Sequence, residues 1–224
     1  MKKICSVILI LLILVSLVAC GNSGNSDNSH IGMNNTTANE EVEKDFFTLV
    51  KTADTTDVSL FEYEVIEGEM TLTNYIGSDE IVVIPDTIEG QSVKVIGEYC
   101  FANNETIKGV RLSDSVTRIG NDAFENCYGL EVLVCGQNLE TIGEYAFNFC
   151  TSLETVELNQ SCRVLEVFCF ANTAIGRIYI PATVESMEST FLMSSKEDEM
   201  VIEGKSDSYA EQYATENGYT FEAK

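Results

Sequence analysis

The sequence contains no tryptophan, only two prolines and one histidine, and its 13 Lys and Arg are outnumbered by 36 Asp and Glu. Each shortage excludes something. The single histidine, His30, lies in a Gly/Asn/Ser stretch, so the rest of the chain cannot build a Ser-His-Asp triad or a histidine-containing zinc site. A formal charge of −23, with no local concentration of basic residues, opposes contact with a phosphate backbone and removes nucleic acid as a partner. No Gly-rich phosphate loop, Gly-x-Ser-x-Gly elbow or Cys-x-x-Cys pair is present. An enzyme would therefore need a site of carboxylates, tyrosines and amides, as some glycosidases have. Asp79-Glu80 and Glu197-Asp198-Glu199 read as solvated acidic faces rather than calcium ligands, and neither a metal nor a cofactor is expected. What is abundant is apolar surface: 45% of the residues are hydrophobic, enough for a continuous core.

Lys2 and Lys3 precede an apolar run from Ile4 to Ala19, short for a permanent membrane span and laid out as a secretory leader over residues 1–19. It ends Leu17-Val18-Ala19-Cys20-Gly21, which resembles the bacterial lipobox. That resemblance implies lipid on Cys20, anchorage to the outer side of the bacterial cell membrane, and a cell-surface location without a spanning helix. Residues 20–39 then form the lipidated cysteine and a flexible Gly/Asn/Ser/Thr tether. Residues 40–60 hold a short helix and linker, with Val42, Phe46, Leu49 and Val50 on one helical face.

The remainder repeats. Ile96-Gly97, Ile119-Gly120 and Ile142-Gly143 each lead to an aromatic corner ending at Phe101, Phe124 and Phe147, and Leu165-Glu166 leads likewise to Phe170, at 23-residue steps; a degenerate fifth copy ends at Phe191. A second series keeps that register through Val110 and Leu112, Leu133 and Cys135, Val156 and Leu158, and Ile178 and Ile180. A coil this short cannot bury its own apolar face, so the copies must stack and share a core. The alternation within Val110-Arg111-Leu112 has the period of a strand, and stacked strands form a parallel ladder with rungs about 4.8 Å apart. Glycine at 97, 120 and 143 suits a tight corner, and Glu166 predicts a strained or rebuilt corner in the fourth copy.

This pattern resembles the BspA-type leucine-rich repeat family, with its Ile-Gly-x-x-Ala-Phe corner, its Asn-Cys pair at Asn126-Cys127 and its strand-ending proline at Pro85 and Pro181. The reading is an α/β solenoid of about five coils of 22–23 residues with short parallel strands over residues 81–200. An N-terminal β-hairpin cap is expected over 61–80 and a C-terminal helix-strand cap over 201–224. The resemblance implies protein binding or adhesion and no catalysis.

Six cysteines fall within this body. Register places Cys100, Cys135, Cys162 and Cys169 at core positions, whereas Cys127 and Cys150, one coil apart, are a possible disulfide in an oxidising compartment. Strand alternation turns Ile81, Val83, Arg111, Val132, Val134, Thr155, Glu157, Arg177 and Tyr179 toward solvent. This stripe is a candidate surface for a protein or other cell-surface ligand. Two readings stand beside it. One is an envelope spacer without a specific ligand; the other is a carbohydrate-active enzyme, which would need an acidic pair in a concave pocket.

Overall fold

A computed structural model describes residues 46–187 and 200–224. The leader, Cys20, the tether, His30, Val42, Phe191 and the Glu197-Asp198-Glu199 run lie outside the described residues.

The body begins with helix α1, whose described part covers residues 46–52, and a single 3-10 turn at Val58–Leu60. Strands β1 (Phe61–Ile66) and β2 (Glu69–Tyr75) pair antiparallel around Glu67-Gly68. Both turn residues have positive φ, 53° and 88°, as a two-residue hairpin that follows the strand twist demands.

From there the chain winds. On one side β2, β5 (Gln91–Ile96), β7 (Arg118–Ile119), β9 (Thr141–Ile142), β11 (Val164–Leu165) and β13 (Ser186–Met187) make six parallel rungs, while β4 (Thr87–Ile88) folds back antiparallel on β5. Six rungs make about six turns, one more than the corner motif implies, because the second hairpin strand already lies in the ladder. The opposite side carries β3 (Ile81–Val83), β6 (Gly109–Arg111), β8 (Val132–Val134) and β10 (Thr155–Glu157) in register, followed by a second ladder of β12 (Arg177–Tyr179), β14 (Val201–Gly204) and β15 (Thr220–Ala223). Helix α2 (Tyr209–Asn217) joins β14 to β15 and buries Ala210, Tyr213 and Ala214. Gly218 stops it in the left-handed conformation, its N–H donating to Ala214 O.

Between the two sides runs a column of fully buried rings. Phe101, Phe124, Phe147 and Phe170 stack at 4.6, 4.9 and 5.3 Å between centroids, nearly parallel, and Tyr75 extends the column at 5.1 Å. Each corner is tied to the next coil by main-chain bonds such as Phe101 N to Ala123 O and Phe124 N to Ala146 O, both 2.8 Å. The corner glycines keep φ outside the left-handed region; their role is close approach. A Cβ on Gly120 would lie 3.0 Å from Glu98 N and Ile96 O, and one on Gly97 2.7 Å from Leu72 O. The left-handed corner positions belong instead to Tyr99, Asp122, Tyr145 and Phe168, and to Asn103, Asn126, Phe149 and Asn172. Glu166 does not rebuild its corner. Its N–H donates to Ile142 O at 3.0 Å as Gly143 N does to Ile119 O at 2.9 Å, and its carboxylate turns outward to accept from Glu144 N.

All six cysteines of the described residues are buried free thiols. The Cys127–Cys150 bridge considered from spacing is not formed: Cys127 Sγ donates to Phe101 O at 3.1 Å and Cys150 Sγ to Phe124 O at 3.2 Å, each thiol satisfied by the preceding coil. Burial raises the Cys100, Cys135, Cys150 and Cys169 thiols and pushes Cys162 up to about 12, which suits small apolar core residues rather than reactive ones.

Candidate binding face

The rungs of β3, β6, β8 and β10 turn two columns of side chains away from the core. One is Ile81, Gly109, Val132 and Thr155; the other is Val83, Arg111, Val134 and Glu157. Arg177 and Tyr179 extend the face on β12. Alternation places them as expected, since Val132 and Val134 belong to a small apolar cluster separate from the core.

The expected exposure is wrong for the apolar half. Val83, Val132 and Val134 retain 2%, 5% and 6% of their surface, and Ile81 and Arg111 are half-buried. Helix α1 covers Val132, Val134 and Ile81, while the main chain of Val83 is bonded by Thr56 beyond the helix. Val50, itself 0% exposed, packs against Val132 and Val134, with Phe46, Phe47 and Ile81 around the contact. Gly109 makes room: a Cβ there would meet Val50 Cγ2 at 2.4 Å and Phe46 Cζ at 3.5 Å. Phe46 and Val50 pack as the helical period implies, but Leu49, expected on the same face, is exposed; the landing place was not legible, because nothing local in the sequence links residue 50 to residue 132.

Polar groups fasten the helix at its C-terminal end, where carbonyls lack intrahelical donors and favour a cation. Arg111 Nε donates to Val50 O at 3.2 Å and its Nη2 to Ala53 O at 2.6 Å. Lys51 pairs with Glu157 at 2.9 Å and lies 5.1 Å from the centre of the Phe47 ring. Just beyond, Thr56 N donates to Val83 O at 3.1 Å and Val83 N to Thr56 Oγ1 at 2.9 Å, which closes part of the β3 edge.

The open half is polar. Thr155 and Glu157 are exposed and Tyr179 is half-buried. Arg177 bridges Glu203 on β14 and Glu222 on β15, donating to Glu222 at 2.6 and 3.3 Å, and holds the Glu222 carboxyl below its ordinary range. Lys224 approaches the same Glu203 at 3.3 Å.

A second concavity, about 600 Å³, runs along the outer side of β5, β7 and β9 between Thr71, Thr73, Arg118, Asn121 and Glu166. Its Glu98 and Glu166 stand on rungs three apart, about 14 Å between their backbones at the parallel spacing. Asp79 accepts from Tyr75 Oη at 2.9 Å and Glu80 pairs with Lys108 at 2.8 Å, so both carboxylates have protein partners; among the described residues no group of three potential metal ligands converges.

The repeated corner, the paired parallel ladders and the ring column coincide with a family profile, BspA type Leucine rich repeat region, matched in six copies over residues 81–197. The chain belongs to the BspA-type leucine-rich repeat family. Two solved structures agree on the fold. A leucine-rich repeat protein of T. pallidum is 24% identical with a TM-score of 0.63, over 67% of this chain and 71% of that one. One from Bacteroides ovatus is 20% identical with a TM-score of 0.55, covering 67% of this chain and 47% of its own. One from Bacteroides capillosus is 31% identical over 67% of this chain and 99% of that chain, with a TM-score of 0.47. A search among curated proteins gives no match.

Proposed function

We propose that this BspA-type repeat protein is a non-catalytic recognition module, held on the outer side of the bacterial membrane by lipid on Cys20 and binding a protein partner through the outward face of β3, β6, β8, β10 and β12. The observation that carries the reading is the apolar cluster on that face. Val132 and Val134 contribute nothing to the solenoid core, yet they form, with Gly109, a shaped surface bordered by the charges of Arg111 and Glu157 and covered by the chain's own α1. The leader and lipobox supply the address.

Two experiments test the two halves. Cross-linked capture from the producing cells with the chain from residue 40 onward is expected to enrich a partner that Val134→Asp/Tyr179→Ala loses while melting cooperatively. If both chains capture the same background, the solenoid is a spacer. Cys20→Ser is expected to abolish fatty-acid incorporation and to release the protein from the membrane fraction; retention with unchanged labelling would rule out Cys20 as the anchor.

A further inference from the structure

Helix α1 occupies the ground on which a ligand of the strand face would sit, and its attachment is of an unusual kind. The core cluster extends from Phe61 to Ala214 without Val50, Val132 or Val134, so the solenoid is complete beneath the helix. Leu49, on α1, faces solvent and adds nothing to the contact. The helix's ion pair, Lys51 with Glu157, is exposed on both sides and so contributes little to its hold.

The surface under it is nonetheless shaped. Gly109 is the one glycine in the two outward columns, and it opens a notch for a single aliphatic side chain with an aromatic ring one turn earlier, filled here by Val50 and Phe46. The Arg111 guanidinium addresses main-chain carbonyls at the end of the helix rather than any side chain, a grip that every helix C-terminus satisfies. A surface that reads two anchors, one helix end and one cation fits a class of helices, of which α1 is the tethered member.

We propose that α1 is a displaceable plug on a helix-binding surface. The outward face of β3, β6 and β8 exchanges α1 for an amphipathic helix of a partner protein that carries an aliphatic anchor for the Gly109 notch, an aromatic one a turn before it, and a lysine or arginine for Glu157. Because α1 is covalently attached, it holds the face at high effective concentration and sets a threshold that only a better-fitting or multiply attached helix overcomes. The proposal rests on the strand face being the recognition surface.

The test uses a fluorescein-labelled synthetic peptide copying residues 40–56, with anisotropy measured against three chains that all begin at residue 40. The Val50→Asp chain, its plug expelled by a buried charge, is expected to bind the peptide at least tenfold more tightly than the unaltered chain. Adding Gly109→Leu fills the notch and is expected to remove that binding, with the main melting transition retained in both variants. Equal binding to the unaltered and Val50→Asp chains, or none to either, overturns the plug. Hydrogen exchange of the unaltered chain gives a readout independent of any substitution: amides of residues 50–52 are expected to exchange at least a hundredfold faster than those of β8 and β9, and exchange of both at one common rate overturns the proposal. Peptide binding together with a failed capture would overturn the partner, whereas a captured partner without peptide binding would overturn the plug and leave the recognition reading standing.

Discussion

Phe149 departs from its equivalents in a way that costs stability. It sits in the left-handed region with φ of 59° and with its ring exposed, where Asn103, Asn126 and Asn172 occupy the same corner of other coils. Asparagine tolerates that conformation better than a bulky side chain, and here it also builds a ladder, Asn126 Nδ2 donating to Asn103 Oδ1 at 3.1 Å. Phe149→Asn is therefore expected to stabilise the fold by about 0.5–1 kcal/mol, measured as a higher urea midpoint with unchanged slope. Phe124→Ala, by contrast, opens the ring column and is expected to cost about 3–5 kcal/mol. Five of the six buried thiols give a pH dependence of one sign. Burial raises Cys100, Cys135, Cys150, Cys162 and Cys169 on folding, whereas contact with Cys150 lowers Cys127, so the stabilisation from the five is complete below the thiol pKa of the unfolded chain, about 8.5, and is lost as pH rises from there toward the folded values, about 12 for Cys162. Urea midpoints are expected to fall above about pH 9. Cys169→Ala places at that corner the alanine found at Ala123 and Ala146 and should flatten the fall; an unchanged alkaline slope would show that other groups cause it.

Among the elements, the C-terminal unit is joined to the repeats by parallel pairing of β12 with β14 and by one guanidinium that reaches three strands. Arg177 lies on β12 and its carboxylate partners on β14 and β15, all at the surface. Arg177→Met is expected to leave the main melting transition in place while speeding amide exchange and proteolytic cleavage in β15, an effect that high salt mimics in the unaltered chain. Unchanged protection of β15 would show that the main-chain ladder and the packing of Tyr213 suffice. Helix α1 is the opposite case, an element whose periodicity announces a helix but whose position depends on the Gly109 notch.

For the whole molecule, stability is close to a sum over coils and their shared faces, because each coil touches mainly its neighbours. Ile119, Ile142 and Leu165 occupy equivalent rungs, and each is followed by the same main-chain bond to the coil before. Deleting residues 143–165 joins Ile142 to Glu166 in register. The shortened chain is expected to unfold in one cooperative transition at a lower temperature, with α1 still docked because Val132 and Val134 remain. Loss of cooperativity would mean that the middle coils are not interchangeable.

The repeat, the corner residues and the direction of every outward strand side chain were determined by the sequence alone, because a 23-residue period fixes which atoms can share a core before any coordinates are known. Four further matters were decided only by the tertiary structure. These are the sixth rung borrowed from the hairpin, the reason for glycine at the corners, the bonding of the Cys127 and Cys150 thiols to carbonyls of the preceding coil, and the burial of Val132 and Val134 beneath α1. Each of these depends on contacts between segments far apart in the chain or on backbone approach across coils. A periodic pattern encodes such contacts between equivalent positions but not between a repeat and the unique segment that lies across it.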